Sequence, residues 1–156
     1  MNGSEIITMF RDQLSESISN NIERVPKTEP IAVSPWVAMA LLQKAIRRGE
    51  ERLALGAAAS LLRNAPNNLW RRLCGIAFED IGLADLETLS LVTAAIGGKR
   101  VRAKMGGEGR VASYLITSMI RAPKCRAADD LLMTAEMHPE YERERLRLTF
   151  LPTDEL

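Results

Sequence analysis

Start and stop signals for α-helices recur along the whole sequence, and they limit the possible folds more than any other feature. Ser34-Pro35 pairs an N-cap serine with a proline at the first helical position, and Gly49 can end that helix in a left-handed conformation. Comparable signals predict helices at residues 5–22, 35–48, 50–64, 69–81, 86–96, 108–121 and 125–137. We therefore predict an all-α protein, a compact helical bundle of about six helices that follows one N-terminal helix.

The same pattern divides the chain into three segments. Residues 1–33 contain an amphipathic helix and a proline-containing tether, residues 34–137 the helical domain, and residues 138–156 a charged tail. The N-terminal helix carries a narrow apolar stripe, which consists of Ile7, Phe10, Leu14 and Ile18. Such a stripe does not fold alone, so we predict that this helix docks on its own domain or on a neighbouring subunit.

The tail fits two interpretations. Its charged residues between positions 140 and 145 are typical of a solvated helical turn, whereas Leu146, Leu148 and Phe150 alternate as in a short strand.

Composition excludes several classes of protein. The net charge of the 156 residues is +1, so any affinity for nucleic acid must come from a local basic patch. Cys74 and Cys125 have no CxxC partner, which is typical of reduced thiols in a cytoplasmic protein. Charge occurs early in the sequence and no run of 18 apolar residues is present, so we predict neither a signal peptide nor a membrane partner.

The stretch "FEDIGLAD", residues 78–85, places two adjacent acids at the end of a predicted helix. The helical period puts Glu79 on the line of Arg72 and turns Asp80 towards the interior. A buried carboxylate needs hydrogen bonds or a cationic partner. We therefore interpret the stretch as a corner, in which Gly82 ends one helix and Asp85 caps the next. A carboxylate active site or metal site is the weaker alternative.

No other arrangement of residues indicates catalysis. A P-loop, GxSxG, HExxH and paired CxxC motifs do not occur. The single histidine, His138, follows the last predicted core helix and is interpreted as a cap or surface residue. We predict a protein without enzymatic activity, with no catalytic residues, metal ligands or cofactor.

A glycine-flanked basic connector at residues 97–110 is the one surface that suggests a function. Its cations are Lys99, Arg100, Arg102, Lys104 and Arg110. Five cations on a flexible backbone can follow a phosphate backbone, so we predict a DNA-binding surface here, with a solvated loop as the alternative. Arg47-Arg48 and Arg71-Arg72 extend this surface only if the fold brings them alongside.

Residues 34–125 also resemble a known family. The stretches "SPWVAMALLQKAIRRGEERLALGAAASLLRN", "LWRRLCGIAFEDIGLAD" and "GEGRVASYLITSMIRAPKC" are similar to the C-terminal helical part of the RarA/MgsA family of AAA+ ATPases. These clamp-loader relatives include the Werner-helicase-interacting ATPase. The resemblance implies a structural corner motif made of Arg72, Glu79, Asp80, Gly82, Asp85 and Lys124.

In that family the segment is an oligomerisation domain that supports tetramers at stalled replication forks. The resemblance therefore implies a homo-oligomer, with a tetramer favoured, associated with DNA replication, recombination and repair. The sequence lacks the family's AAA+ motor motifs, and it has Leu86 where a proline is usual. Two further interpretations stay open: a regulator that forms mixed oligomers with a full-length AAA+ relative, and a DNA-binding module that uses the basic connector.

Overall fold

The computed structural model describes residues 2–20 and 28–150, and every regular element in these ranges is helical. Nine α-helices occur there. They are α1 (Gly3–Asn20), α2 (Pro35–Arg48), α3 (Glu51–Asn64), α4 (Pro66–Ile76), α5 (Leu86–Ala95), α6 (Lys99–Lys104), α7 (Glu108–Arg121), α8 (Ala127–Met137) and α9 (Glu142–Thr149). The predicted all-α class is confirmed.

Local caps explain why the predicted boundaries agree with the structure. Ser34 accepts a hydrogen bond from the Val37 N–H at the start of α2, and Gly49 ends the helix with a φ of 77°. The start of α4 was predicted too late. Pro66 occupies its first turn, where a missing N–H costs nothing, so the helix begins there and not at residue 69.

Two segments differ from the sequence predictions. The basic connector is not an irregular loop, because its central residues Lys99–Lys104 form α6. In the tail the strand alternative is wrong. A 3₁₀ turn at Pro139–Tyr141 leads into α9, which extends to Thr149. Residues 21–27 and 151–156, which include the predicted end of the first helix and Pro26 of the tether, lie outside the described residues.

The core lies between α2, α3, α4, α5 and α7. Its largest fully buried side chains include Leu42, Ile46, Leu61, Leu69, Leu73, Ile76, Leu115, Ile116 and Met119. The small residues of α3 serve this core, because Ala54, Ala57 and Ala58 are buried where α3 packs against α2 and α7. They therefore allow close packing within one subunit.

The N-terminal helix belongs to the same core. Leu14 and Ile18 are buried in it, Phe10 packs against it, and Ile7 remains partly exposed. The helix packs mainly on α5. Within one chain, α1 therefore docks on its own domain through the last three residues of the predicted stripe, Phe10, Leu14 and Ile18.

Residues 28–34 cross α3 at a glycine. The Ile31 N–H donates to the Gly56 carbonyl at 3.4 Å, and the Ser60 hydroxyl donates to the Ile31 carbonyl at 2.6 Å. A Cβ atom at Gly56 would lie 2.9 Å from the Ile31 side chain. Gly56 therefore provides the space for this crossing.

No helix in the described ranges is long and apolar enough to cross a bilayer.

Candidate functional site

The "FEDIGLAD" corner contains a fully buried carboxylate. After α4 the chain continues as a π-helical segment, Ala77–Ile81, and then as a 3₁₀ turn, Gly82–Ala84. Asp80 lies in the π-helical segment with 0% of its surface exposed. Gly82 follows with a φ of +51° and a ψ of −128°, which a side chain would strain. A π-helical turn is rare and often coincides with a functional position. The contacts of Asp80 therefore show whether this turn has a structural or a functional role.

The partners of Asp80 come from α2 and from the segment before α8. Arg47 donates from Nε to Oδ1 at 3.0 Å and from Nη2 to Oδ2 at 3.2 Å. Gln43 donates to Oδ2 at 3.3 Å, and Arg126 Nε lies 3.7 Å from Oδ1. The Cys125 N–H donates to the Asp80 backbone carbonyl at 2.9 Å. Asp80 therefore joins α2, the corner and the base of α8.

Gln43 connects the two acids of the corner. Its amide nitrogen also donates to Glu79 at 3.2 Å, and its carbonyl accepts from Arg72 Nη1 at 3.1 Å. Arg72 and Glu79 thus meet through Gln43 and not directly. The sequence does not predict this role of Gln43, because a glutamine on the polar side of a helix carries no signal of its own.

Lys124 caps a neighbouring helix end. Its Nζ donates to the carbonyls of Met119, Ile120 and Ala122 at 2.8, 3.2 and 2.6 Å. Burial lowers the pKa of Lys124, and the charge of Asp80 acts in the opposite direction. Lys124 therefore satisfies the last carbonyls of α7 next to the corner.

These contacts suit a structural carboxylate. The side-chain partners of the Asp80 carboxylate are Arg47, Gln43 and Arg126, and each presents a donor to it, so a bound cation would meet competing positive charge there. Within the described residues no three His, Cys, Asp or Glu side chains are grouped as metal ligands. His138 lies on the surface and accepts from the Glu140 N–H at 3.3 Å. The geometry thus favours a corner that fastens helices together.

Asp85 caps α5, and this cap gives a pH-dependent prediction. Burial raises its pKa, but hydrogen bonds from the Thr88 N–H and hydroxyl outweigh that effect, and the net pKa is lowered. A lowered folded pKa stabilises the fold above the unfolded value of about 3.9, and this stability is lost as the pH falls through the folded pKa. We expect Asp85→Ala to cost about 1 kcal/mol at pH 7.

The cost of Asp85→Ala should shrink as the pH falls below the unfolded value of about 3.9 and through the lowered folded pKa of Asp85, because the native cap then becomes protonated. Urea unfolding at a series of pH values measures this. Asp85→Asn is the matched control, because it keeps an uncharged cap that does not titrate. A cost of Asp85→Ala that is constant from pH 7 to pH 2 would contradict the interpretation.

The basic connector does not form the predicted surface of five cations. Arg102 is buried, with its guanidinium 2.8 Å from Glu108 and its Nη1 donating to the Ala95 carbonyl at 3.1 Å. The guanidinium also lies 4.0 Å above the ring of Trp70, whose Nε1 donates to the same Glu108 carboxylate. Arg102 is therefore a buried residue that ties α6 to α4, α5 and α7, and its contact with nucleic acid stays a prediction that this burial disfavours.

The other cations of the connector are exposed but divided between surfaces. Arg100 and Lys104 are one helical turn apart on α6 and opposite Arg102. Arg110 lies in a different groove, between α3 and α7. Lys99 lies at the rim of a groove between α4 and α6 that has a volume of about 710 Å³.

Arg71 lines the same groove as Lys99, although 28 positions separate them in the sequence. The fold thus brings one residue of the two arginine pairs, Arg71, beside the connector. Arg47 and Arg72 are committed to the acidic corner instead. Cys74 also lines the groove, and burial raises the pKa of its thiol, which disfavours the reactive thiolate.

Comparison with protein-family models and with curated protein sequences returns no match to this chain.

Proposed function

We propose that the chain is a non-enzymatic helical oligomerisation module, associated with DNA replication, recombination and repair as its resemblance to RarA/MgsA-type ATPases implies. The observation that carries the proposal is the solvent exposure of residues 127–150, which we call the C-terminal arm. It consists of α8, the 3₁₀ turn and α9, and none of its residues is buried.

The arm exposes many of the large apolar side chains of the chain. Eight large apolar side chains on it are 40–83% exposed. They are Leu131, Leu132, Met133, Met137, Tyr141, Leu146, Leu148 and Phe150. At about 200 Å² for each complete side chain they expose on the order of 1000 Å². A stable interface buries about 800 Å² per partner, so the arm exposes enough apolar surface to contribute to one.

The distribution of these side chains indicates burial from more than one side. Leu131, Leu132 and Met133 are consecutive, so they point in three directions around α8. More than one neighbouring surface would be needed to cover them all. We propose that a second copy of this chain covers the arm. The resemblance favours a tetramer, and mixed assembly with a full-length AAA+ relative is the alternative that the same surface allows.

The arm is an ordered element despite its exposure. Arg145 of α9 donates to the carbonyls of Ala135 and His138 at 2.8 and 2.9 Å, which ties α9 to the end of α8. The arm meets the body chiefly at the π-helical segment, where α8 begins. Its apolar side chains are thus presented on a defined scaffold, which lowers the entropy cost of association.

Light scattering behind a sizing column, over a concentration series, tests the proposal. We expect a mass that is a multiple of 17.3 kDa. Replacing Leu132 and Met137 by glutamate should raise the dissociation constant on the order of 100-fold, because charge would be buried at the interface. Both positions are exposed in the single chain, so circular dichroism should not change, and the melting temperature should fall only by the stabilisation that assembly contributes.

Leu53→Glu is the matched control, because Leu53 is an exposed leucine on α3, outside the arm. It should leave the mass unchanged. A native protein that is monomeric at every concentration would contradict the proposal. Co-purification with a full-length AAA+ relative, at the expense of the homo-oligomer, would instead favour the mixed assembly.

A further inference from the structure

The groove between α4 and α6 combines an apolar wall with uncompensated positive charge. Trp70 and Ile96 contribute apolar surface, and Arg71 and Lys99 are exposed at its rim. Its volume of about 710 Å³ is in the range of ligand sites in proteins. This groove is formed by the body of a single chain and does not include the C-terminal arm.

The charges within the groove do not cancel. Glu108 is its one acid, and that carboxylate is already paired with Arg102 at 2.8 Å and hydrogen-bonded to Trp70 Nε1 at 3.1 Å. Neither Arg71 nor Lys99 forms an ion pair with a residue of the described ranges. The rim therefore carries two cations that are available to an anionic ligand.

The surrounding body strengthens this positive field. Residues 28–126 contain 15 Lys and Arg against 8 Asp and Glu, an excess of seven positive charges. Residues 127–150 contain 3 Arg against 6 Asp and Glu. The net charge of +1 for the whole chain thus conceals a basic body and an acidic arm, and the groove lies on the basic side.

We propose that this groove binds single-stranded nucleic acid, with phosphates on Arg71 and Lys99 and a base against the apolar wall. A single strand offers both charged phosphates and apolar base faces, whereas a duplex keeps its bases stacked inside and would leave the wall unused. Trp70 is 5% exposed and Arg102 covers its ring at 4.0 Å, so Trp70 is not a stacking platform and the base would lie against Ile96. Arg100 and Lys104 continue the basic surface along α6.

Fluorescence anisotropy with a labelled 20-nucleotide oligothymidine tests this site on the full chain. We expect salt-sensitive binding that Arg71→Ala with Lys99→Ala weakens about tenfold at 50 mM salt. The slope of log affinity against log salt should fall by about 1.4, as expected for two lost phosphate contacts. Lys44→Ala with Arg63→Ala is the control, since these exposed cations lie outside the groove and the change in net charge is the same.

Three results would overturn the proposal: no binding at 50 mM salt, equal losses in the two double variants, or tighter binding of a duplex of the same length. Tighter binding of a polyglutamate peptide than of the oligothymidine would also reject it, in favour of an acidic protein partner. Because the arm plays no part in the groove, the glutamate substitutions at Leu132 and Met137 should leave oligothymidine binding intact even if they abolish assembly.

Discussion

Asp80→Asn is expected to lower the free energy of unfolding by about 3 kcal/mol, which corresponds to about 10 °C in melting temperature for a chain of this size. The amide keeps the shape of the side chain but loses the charge that Arg47 and Arg126 face. Its NH₂ group would also point at other donors. The cost is at the lower end of the range for a broken buried ion pair, because the Arg47 side chain is 38% exposed and can regain water.

Glu79→Gln is the matched control for this substitution. Glu79 is the adjacent acid, it is partly exposed, and a glutamine oxygen can still accept the hydrogen bond from Gln43. We expect it to cost less than 1 kcal/mol. Chemical unfolding of the three proteins measures both values. If Asp80→Asn left stability intact while removing an activity, the corner would be a catalytic site after all.

Glu108→Ala is expected to cost a similar amount, about 3 kcal/mol, because it leaves a buried cation without its carboxylate partner. It removes an acid and leaves the Arg102 guanidinium, whose side chain is 6% exposed, with only the Ala95 carbonyl and the Trp70 ring as partners. The Trp70 indole N–H loses its acceptor as well. Tryptophan fluorescence during denaturation reports directly on this cluster.

Glu51→Ala is the control for Glu108→Ala. It measures the cost of losing an acid from the first turn of a helix where no buried cation depends on it. Glu51 and Glu108 each lie in the first turn of their helix, but Glu51 accepts only from the exposed Thr117 hydroxyl. Its loss should cost about 0.5 kcal/mol. Adding Arg102→Met to Glu108→Ala should recover part of the lost stability, because the unpaired charge is removed. A double variant that is less stable than Glu108→Ala alone would count against a buried ion pair.

Helix positions could be predicted because their signals are local. Ser34, Gly49 and Asp85 act on residues within one turn, so a short stretch of sequence contains the whole cause. The helical period also predicts that Asp80 faces the interior, and the structure buries it. The six-residue α6 was missed because it is too short to show a period and has glycines on both sides.

The sites could not be predicted from the sequence, because they depend on contacts between residues that are far apart in it. In the sequence, Arg102 cannot be distinguished from the other four cations of the basic connector. Only the packing of α4, α5 and α7 shows that it is buried. Arg47 and Gln43 are 33 to 37 positions from Asp80, so their role at the corner depends on how α2 crosses it. The same holds for Arg71 and Lys99, which share a groove only in the folded chain.

The attachment of the arm at the corner has a mechanical consequence. Cys125 and Arg126, the last residues before α8, both bond to Asp80, and Asp80 is in turn held by Arg47 of α2. A force applied to the arm is therefore transmitted to the centre of the bundle and not to a loose linker. Tension on the arm would reach α7 through the chain itself and α2 through Asp80, so two helices of the core would share the load.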